Sequence, residues 1–97
     1  MRRIIWNKVA KSDYFENINY LLKNWSEKEV QKFIDEVRHI EFVLKKGNVD
    51  FQDINYRGVK RVVLRKQITL FDKINDIAEV EFLRFWNNHK DIKRLRF

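Results

Sequence analysis

The chain has 97 residues, 44% hydrophobic and 14% aromatic, and its 21 Lys and Arg against 14 Asp and Glu give a net charge of +7. That length suits one domain spanning residues 1–97, and the absence of cysteine excludes a disulfide scaffold, a zinc ribbon and a thiol nucleophile. No proline and only two glycines, Gly47 and Gly58, argue against linkers and low-complexity segments.

The first eight residues, Met1 to Lys8, are basic but lack the apolar stretch of a signal peptide. No apolar run approaches the roughly 18 residues that span a bilayer. The expected compartment is therefore the cytoplasm, with no membrane partner. Ile4, Ile5 and Trp6 are β-branched and aromatic, and they predict a short first strand. Tyr14, Ile18, Leu21, Leu22 and Trp25 recur at helical spacing and predict a first helix, with Lys11, Glu16, Asn17 and Lys23 on its opposite face. Ser26-Glu27-Lys28-Glu29 reads as a capping box, in which the Ser26 hydroxyl accepts from the Glu29 amide and the Glu29 carboxylate returns to Ser26. The second helix follows with the stripe Val30, Phe33, Ile34, Val37, Ile40 and Leu44. Lys45 and Lys46 suit its C-terminus, and Gly47 can adopt the left-handed cap.

After Gly47 the period changes from helical to alternating. Three antiparallel strands are expected near 59–65, 67–74 and 77–86, with Asn75-Asp76 as a two-residue hairpin turn. The predicted order is β-α-α-β-β-β, an α+β fold in which a helical hairpin packs on one face of a twisted antiparallel sheet. The other face is expected to be at least partly open. Asp72 breaks the pattern, because it lies in phase with Ile68, Leu70 and Ile74. A bare carboxylate on an apolar face is costly. Asp72 is thus either paired with a base, part of a site, or carried to solvent by a twist or bulge.

The charge is uneven. Residues 1–50 carry 10 basic and 8 acidic groups, residues 51–97 carry 11 and 6, and Arg57 to Lys66 contains five basic residues and no acid. Such a field favours a polyanion or an acidic protein.

The ordered set of segments resembles the RelE/ParE superfamily of type II toxin–antitoxin toxins, often called plasmid stabilisation proteins, over almost the whole chain. The resemblance rests on Ile5-Trp6, on Tyr20-Leu21-Leu22-Lys23-Asn24-Trp25 and on Lys32-Phe33-Ile34-Asp35-Glu36. It continues through the strands Val62–Phe71 and Val80–Trp86 to the tail Asn87-Asn88-His89-Lys90-Asp91. It implies a small α+β toxin restrained by a cognate antitoxin, as a homodimer or a hetero-oligomer with that antitoxin. Two activities go with it: ParE-like poisoning of DNA gyrase, which needs no catalysis, and RelE-like ribosome-dependent cleavage of mRNA. Relatives commonly read Phe-Tyr-Lys in the third strand where this chain has Phe71-Asp72-Lys73. They often carry Asp-Pro or Asn-Pro in the tail where it has Asp91-Ile92.

Cleavage of RNA through the 2′-hydroxyl needs a base, cations for the developing phosphorane charge and an acid for the leaving oxygen. Arg61 and Arg65 share a strand face by alternation, Arg84 can join them, and Arg matches phosphate with its planar fork. With Lys66 they are the candidate target- or antitoxin-binding residues. His89 is the candidate acid or base, and His39 reads as structural or solvated. No Gly-rich loop, Walker pattern or His-Glu-x-x-His occurs, so no cofactor and no metal are expected. Long helices, near 15 and 20 residues, and an incomplete nuclease set favour the ParE-like reading. A non-toxic RNA-binding module that uses exposed aromatics such as Phe71, Phe85 or Trp86 as stacking platforms is the further alternative.

Overall fold

The structure, a computed structural model, describes residues 2–47, 51–65 and 67–97. Lys66 lies outside the described residues. The elements run β1 (Ile4–Trp6), α1 (Lys8–Asn24), α2 (Glu27–Lys46), β2 (Gln52–Asp53), β3 (Lys60–Arg65), β4 (Ile68–Ile74), β5 (Val80–Asn87) and a 3-10 turn, Ile92–Arg94. The two helices cover one face of a five-stranded sheet of order β1-β5-β4-β3-β2. β3, β4 and β5 form an antiparallel meander, as the alternation implies, and β1 joins beside β5 in parallel. A parallel pair cannot be joined by a tight turn, and here the helical hairpin and β2–β4 intervene between β1 and β5. The two-residue β2, which the sequence reading did not include, covers Lys60 and Arg61 at the β3 edge.

The helix ends follow their caps. Asn7 accepts from the Ala10 amide at 2.7 Å and starts α1. Ser26 accepts from the Glu29 amide at 3.2 Å and starts α2. The return half of the box is diverted, because the Glu29 carboxylate reaches Arg65 at 3.0 Å. Gly47 closes α2 in the left-handed region at φ 76°, where a side chain would be strained.

The main core lies between helices and sheet. Leu21, Phe33 and Val37 meet Ile68, Leu70, Val80, Phe82 and Phe85, and Trp6, Tyr14, Phe82 and Phe85 form an aromatic cluster with centroids 5.0–5.7 Å apart. The α1 stripe is rotated from the expected one. Its buried line is Ala10, Asp13, Asn17 and Leu21, whereas Leu22 and Trp25 are more than half exposed. Two of the four buried positions are therefore polar, and Asn17 lies on the buried side rather than the solvent side.

Two β-bulges break the simple alternation. On β5 the register shifts opposite Phe71 and Asp72, so Phe82 and Phe85, three residues apart, both face the helices while Leu83 and Trp86 face away. On β3 a shift between Val63 and Arg65 brings Arg65 opposite Ile68, on the helix side. The β4–β5 connection is also longer than a two-residue turn. Asn75 organises a loop through Glu79, its side-chain oxygen accepting from Ile77 and Glu79 amides at 3.1 and 3.0 Å, and Ala78 adopts φ 62°.

The far face of the sheet is covered along its middle. Val59, Phe71, Leu83 and Trp86 form a second buried cluster with Ile54 and Leu95. Phe97 from the tail stands 5.2 Å from Phe71 and 5.9 Å from Tyr56. Phe71, Phe85 and Trp86 are 5%, 1% and 4% exposed, so they are core residues and not stacking platforms. Asp72 is 3% exposed, opposite Lys60 on β3 and Phe82 on β5, so the twist does not carry it to solvent. Among the described residues no helix is long and apolar enough to cross a membrane.

Candidate functional site

A line of polar residues on α1 meets the end of β5. Asp13, Glu16, Asn17 and Tyr20 recur at the spacing of one helical face, and with Asn87, His89 and Lys90 they line a cleft of about 170 Å³. Asp13, which lines it, belongs to a buried ion pair. Arg84 Nε donates to Asp13 Oδ2 at 2.6 Å and Arg84 Nη2 to Asp13 Oδ1 at 3.1 Å, the two-pronged match of guanidinium and carboxylate. The same carboxylate accepts from the Phe85 amide at 3.1 Å, and Asn17 Nδ2 donates to the Asp13 and Phe85 carbonyls at 2.9 Å each. Arg84 Nη1 also donates to the Arg96 carbonyl at 3.0 Å and so holds the tail.

The rim carries the titratable groups. The His89 ring lies 5.6 Å from that of Tyr20, inclined by 42°. The His89 amide donates to Asn87 Oδ1 at 3.0 Å, which sets the turn after β5. Lys90 Nζ donates to Glu16 Oε1 at 2.8 Å and stands 5.7 Å from the Trp86 ring. An imidazole beside a phenol in a concavity can exchange a proton with a bound group. Two cations near His89 in the chain, Arg84 and Lys90, are each engaged with a carboxylate.

The remaining candidates lie elsewhere. Arg61 and Arg84 sit in one row across the sheet with Phe71 between them. Their side chains diverge, Arg61 Nε donating to Gln52 Oε1 at 3.1 Å and Arg84 turning to Asp13. Arg65 belongs to neither group. Past the β3 bulge it turns to α2, where it meets Glu29 at 3.0 Å and Glu36 at 3.4 Å. The alternation that puts Arg61 and Arg65 on one face therefore does not survive the bulge. His39 is exposed on α2 and lines a shallow groove with Glu36, Ile40, Val63 and Leu64.

Asp13, Glu16, Tyr20 and Lys90 were not among the candidates that the sequence reading selected. The available signal was the polar pair Asp13 and Asn17 in line with Ala10 and Leu21, a pattern that a purely apolar stripe overlooks. Among the described residues no group of three or more His, Asp or Glu is placed to hold a metal ion.

No protein-family model matches the sequence, and no curated protein sequence matches it. Solved structures do match in three dimensions. The chain is similar to the chromosomal ParDE system from P. aeruginosa, at 16% identity over 90% of this chain and 96% of that one, with a TM-score of 0.68. It is similar to the E. coli DinJ–YafQ complex at 11% identity, over 92% and 96% of the two chains and with a TM-score of 0.61. The YoeB dimer from Staphylococcus aureus follows at 12% identity, over 88% and 94%, with a TM-score of 0.57. At these identities the likeness is one of fold: the chain has the fold of the RelE/ParE toxins that its sequence resembles.

Proposed function

We propose that this chain, as a single domain over residues 1–97, is the toxin of a type II toxin–antitoxin module and inhibits growth in the ParE-like manner, by poisoning DNA gyrase. The observation that carries the choice of target is the commitment of the cations. A phosphorane-stabilising site needs guanidinium or ammonium groups converging on the acid or base. Here Arg84 is held on buried Asp13, Arg65 pairs with Glu29 and Glu36 on α2, and Lys90 pairs with Glu16 at the surface. A gyrase contact needs a surface and no such convergence. The fold likeness to a ParDE system is consistent with this reading. The expected partner is a cognate antitoxin, in line with the toxin–antitoxin complexes among the similar structures.

One observation favours a second reading, ribosome-dependent mRNA cleavage. The Tyr20 and His89 rings face each other at the cleft rim, with Lys90 beside them. Induced expression without antitoxin separates the two. The ParE-like reading expects growth arrest with altered plasmid supercoiling and a DNA-damage response, unchanged in Tyr20→Phe and His89→Ala. Early loss of bulk translation that both substitutions abolish establishes the nuclease instead. Unimpeded growth across several hosts refutes the toxin assignment.

A further inference from the structure

On the face of the sheet away from the helices, a cleft of about 220 Å³ opens beside the second core cluster. Buried Val59 and Leu83 line its apolar part, and Lys73 and Glu81 line it from β4 and β5. Tyr56 and Arg57, from the connection before β3, stand at its rim with Phe97. We propose that this cleft binds a free α-amino acid with an aliphatic side chain.

The polar part of the cleft is an acid and a base that do not pair. Lys73 and Glu81 are partners in the β4–β5 register, so each is the other's direct cross-strand neighbour. Opposite charges so placed ordinarily attract and pair. Lys60 and Asp53, partners in the β2–β3 register, do so at 3.9 Å. Lys73 and Glu81 are half-buried, and among the described residues neither makes an ion pair or a side-chain hydrogen bond. An ammonium and a carboxylate thus stand side by side at one cleft, with their donors and acceptors unused.

A third charge is held at the rim by the backbone. Tyr56 to Val59 is a tight turn in which the Val59 amide donates to the Tyr56 carbonyl at 2.9 Å, with Arg57 and Gly58 at φ 48° and 74°. Such a turn favours Gly or Asn at both central positions, so Arg57 carries backbone strain there. Residues held in strained conformations cluster at binding sites. The Arg57 guanidinium lies 5.3 Å over the Tyr56 ring and has no carboxylate partner among the described residues.

The ligand class follows from these charges. A nucleotide or a phosphate would meet Lys73 and Arg57 but be opposed by Glu81, and a simple amine would meet the reverse. A molecule with a carboxylate and an ammonium on one carbon satisfies both. Its carboxylate accepts from Lys73 and Arg57, and its ammonium donates to Glu81. Val59 and Leu83 offer apolar surface to an aliphatic side chain. The cleft is small beside the roughly 300–1,000 Å³ of drug-sized sites, which suits a single amino acid. A peptide terminus carries only one of the two charges and leaves either Lys73 or Glu81 unmatched. This site does not depend on the target assigned above.

The test is an NMR titration of the isotope-labelled full chain with L-leucine and L-valine at constant ionic strength. Saturable shifts confined to the cleft, at Lys73, Glu81 and Leu83, are expected with a millimolar Kd. Lys73→Met and Glu81→Gln should each weaken leucine binding by about tenfold or more. Lys23→Met, on α1, should leave it unchanged. N-acetyl-L-leucine and L-leucinamide each lack one charge and should bind about tenfold more weakly than leucine. This analogue series uses the unaltered chain and decides the matter if a variant fails to fold. The absence of saturable shifts overturns the site, as does equal weakening in Lys23→Met. N-acetyl-L-leucine binding as tightly as leucine overturns it in favour of a peptide C-terminus. L-leucinamide binding as tightly overturns it in favour of a simple amine, and adenosine monophosphate displacing leucine at equal concentration overturns it in favour of a nucleotide.

Discussion

Arg84 and Asp13, 71 residues apart in sequence, form a two-pronged ion pair between β5 and α1, with side chains 14% and 6% exposed. This pair fixes how the first helix lies on the sheet, because Asp13 also receives the Phe85 amide just past the β5 bulge. Breaking a buried pair from one side leaves an uncompensated charge, which costs about 3–5 kcal/mol. Arg84→Ala should therefore lower stability by that amount in urea unfolding. A loss of growth arrest in this variant would report unfolding, and a paired replacement of both residues by apolar side chains should recover most of the stability.

Asn17 completes the same junction with two hydrogen bonds from one amide nitrogen, to the Asp13 and Phe85 carbonyls. Asn17→Leu fills a similar volume but strands the Phe85 carbonyl in a buried position. We expect a loss of about 1–3 kcal/mol by chemical denaturation.

Arg65 presents a contrast. Its side chain and those of Glu29 and Glu36 are 27%, 20% and 38% exposed, so solvent screens the pairs. Arg65→Ala should cost about 1 kcal/mol or less, and that loss should fade at high salt. Thermal melts of Arg65→Ala and Arg84→Ala measured side by side should therefore separate clearly.

Burial pushes the Tyr14 phenol above its ordinary value of 10.0; Arg38 opposes that shift and Glu41 reinforces it. The unfolded chain then releases this proton first as pH rises. The folded form binds more protons above pH 10, and its stability falls as pH increases. The contribution is full below the ordinary value and is lost on the alkaline side. Tyr14→Phe keeps the ring against Trp6, Phe33 and Phe85. It should flatten the decline of stability above pH 10 and leave the slope near neutrality unchanged.

The Phe97 ring lies on Phe71 and Tyr56 and helps the tail cover the far side of the sheet. It is 48% exposed, so Phe97→Ala forfeits only part of an aromatic burial, about 1–2 kcal/mol. Hydrogen exchange should then quicken at the 3-10 turn and leave β5 protected.

Apart from the two-residue β2 and the 3-10 turn, the elements and their order were legible in the residues themselves, because caps and periodicity are local. Ser26 and Gly47 bound α2 as their chemistry requires, and the change of period after Gly47 announces the meander. Asp72 was recognisable as an exception, and it proved to be buried. What sequence could not carry was anything that depends on phase across a bulge. Alternation groups Arg61 with Arg65 and Phe82 with Arg84, but one extra residue in each strand turns every later side chain to the other face. That turns Arg65 to α2 and brings Phe85 into the core. The fates of the charges were likewise tertiary. Arg84 looks like a surface cation until Asp13 is brought to it from the far end of the chain, and Tyr20 meets His89 only because α1 lies along β5. Local chemistry determines which elements form; long-range burial decides which charges are left to meet a partner.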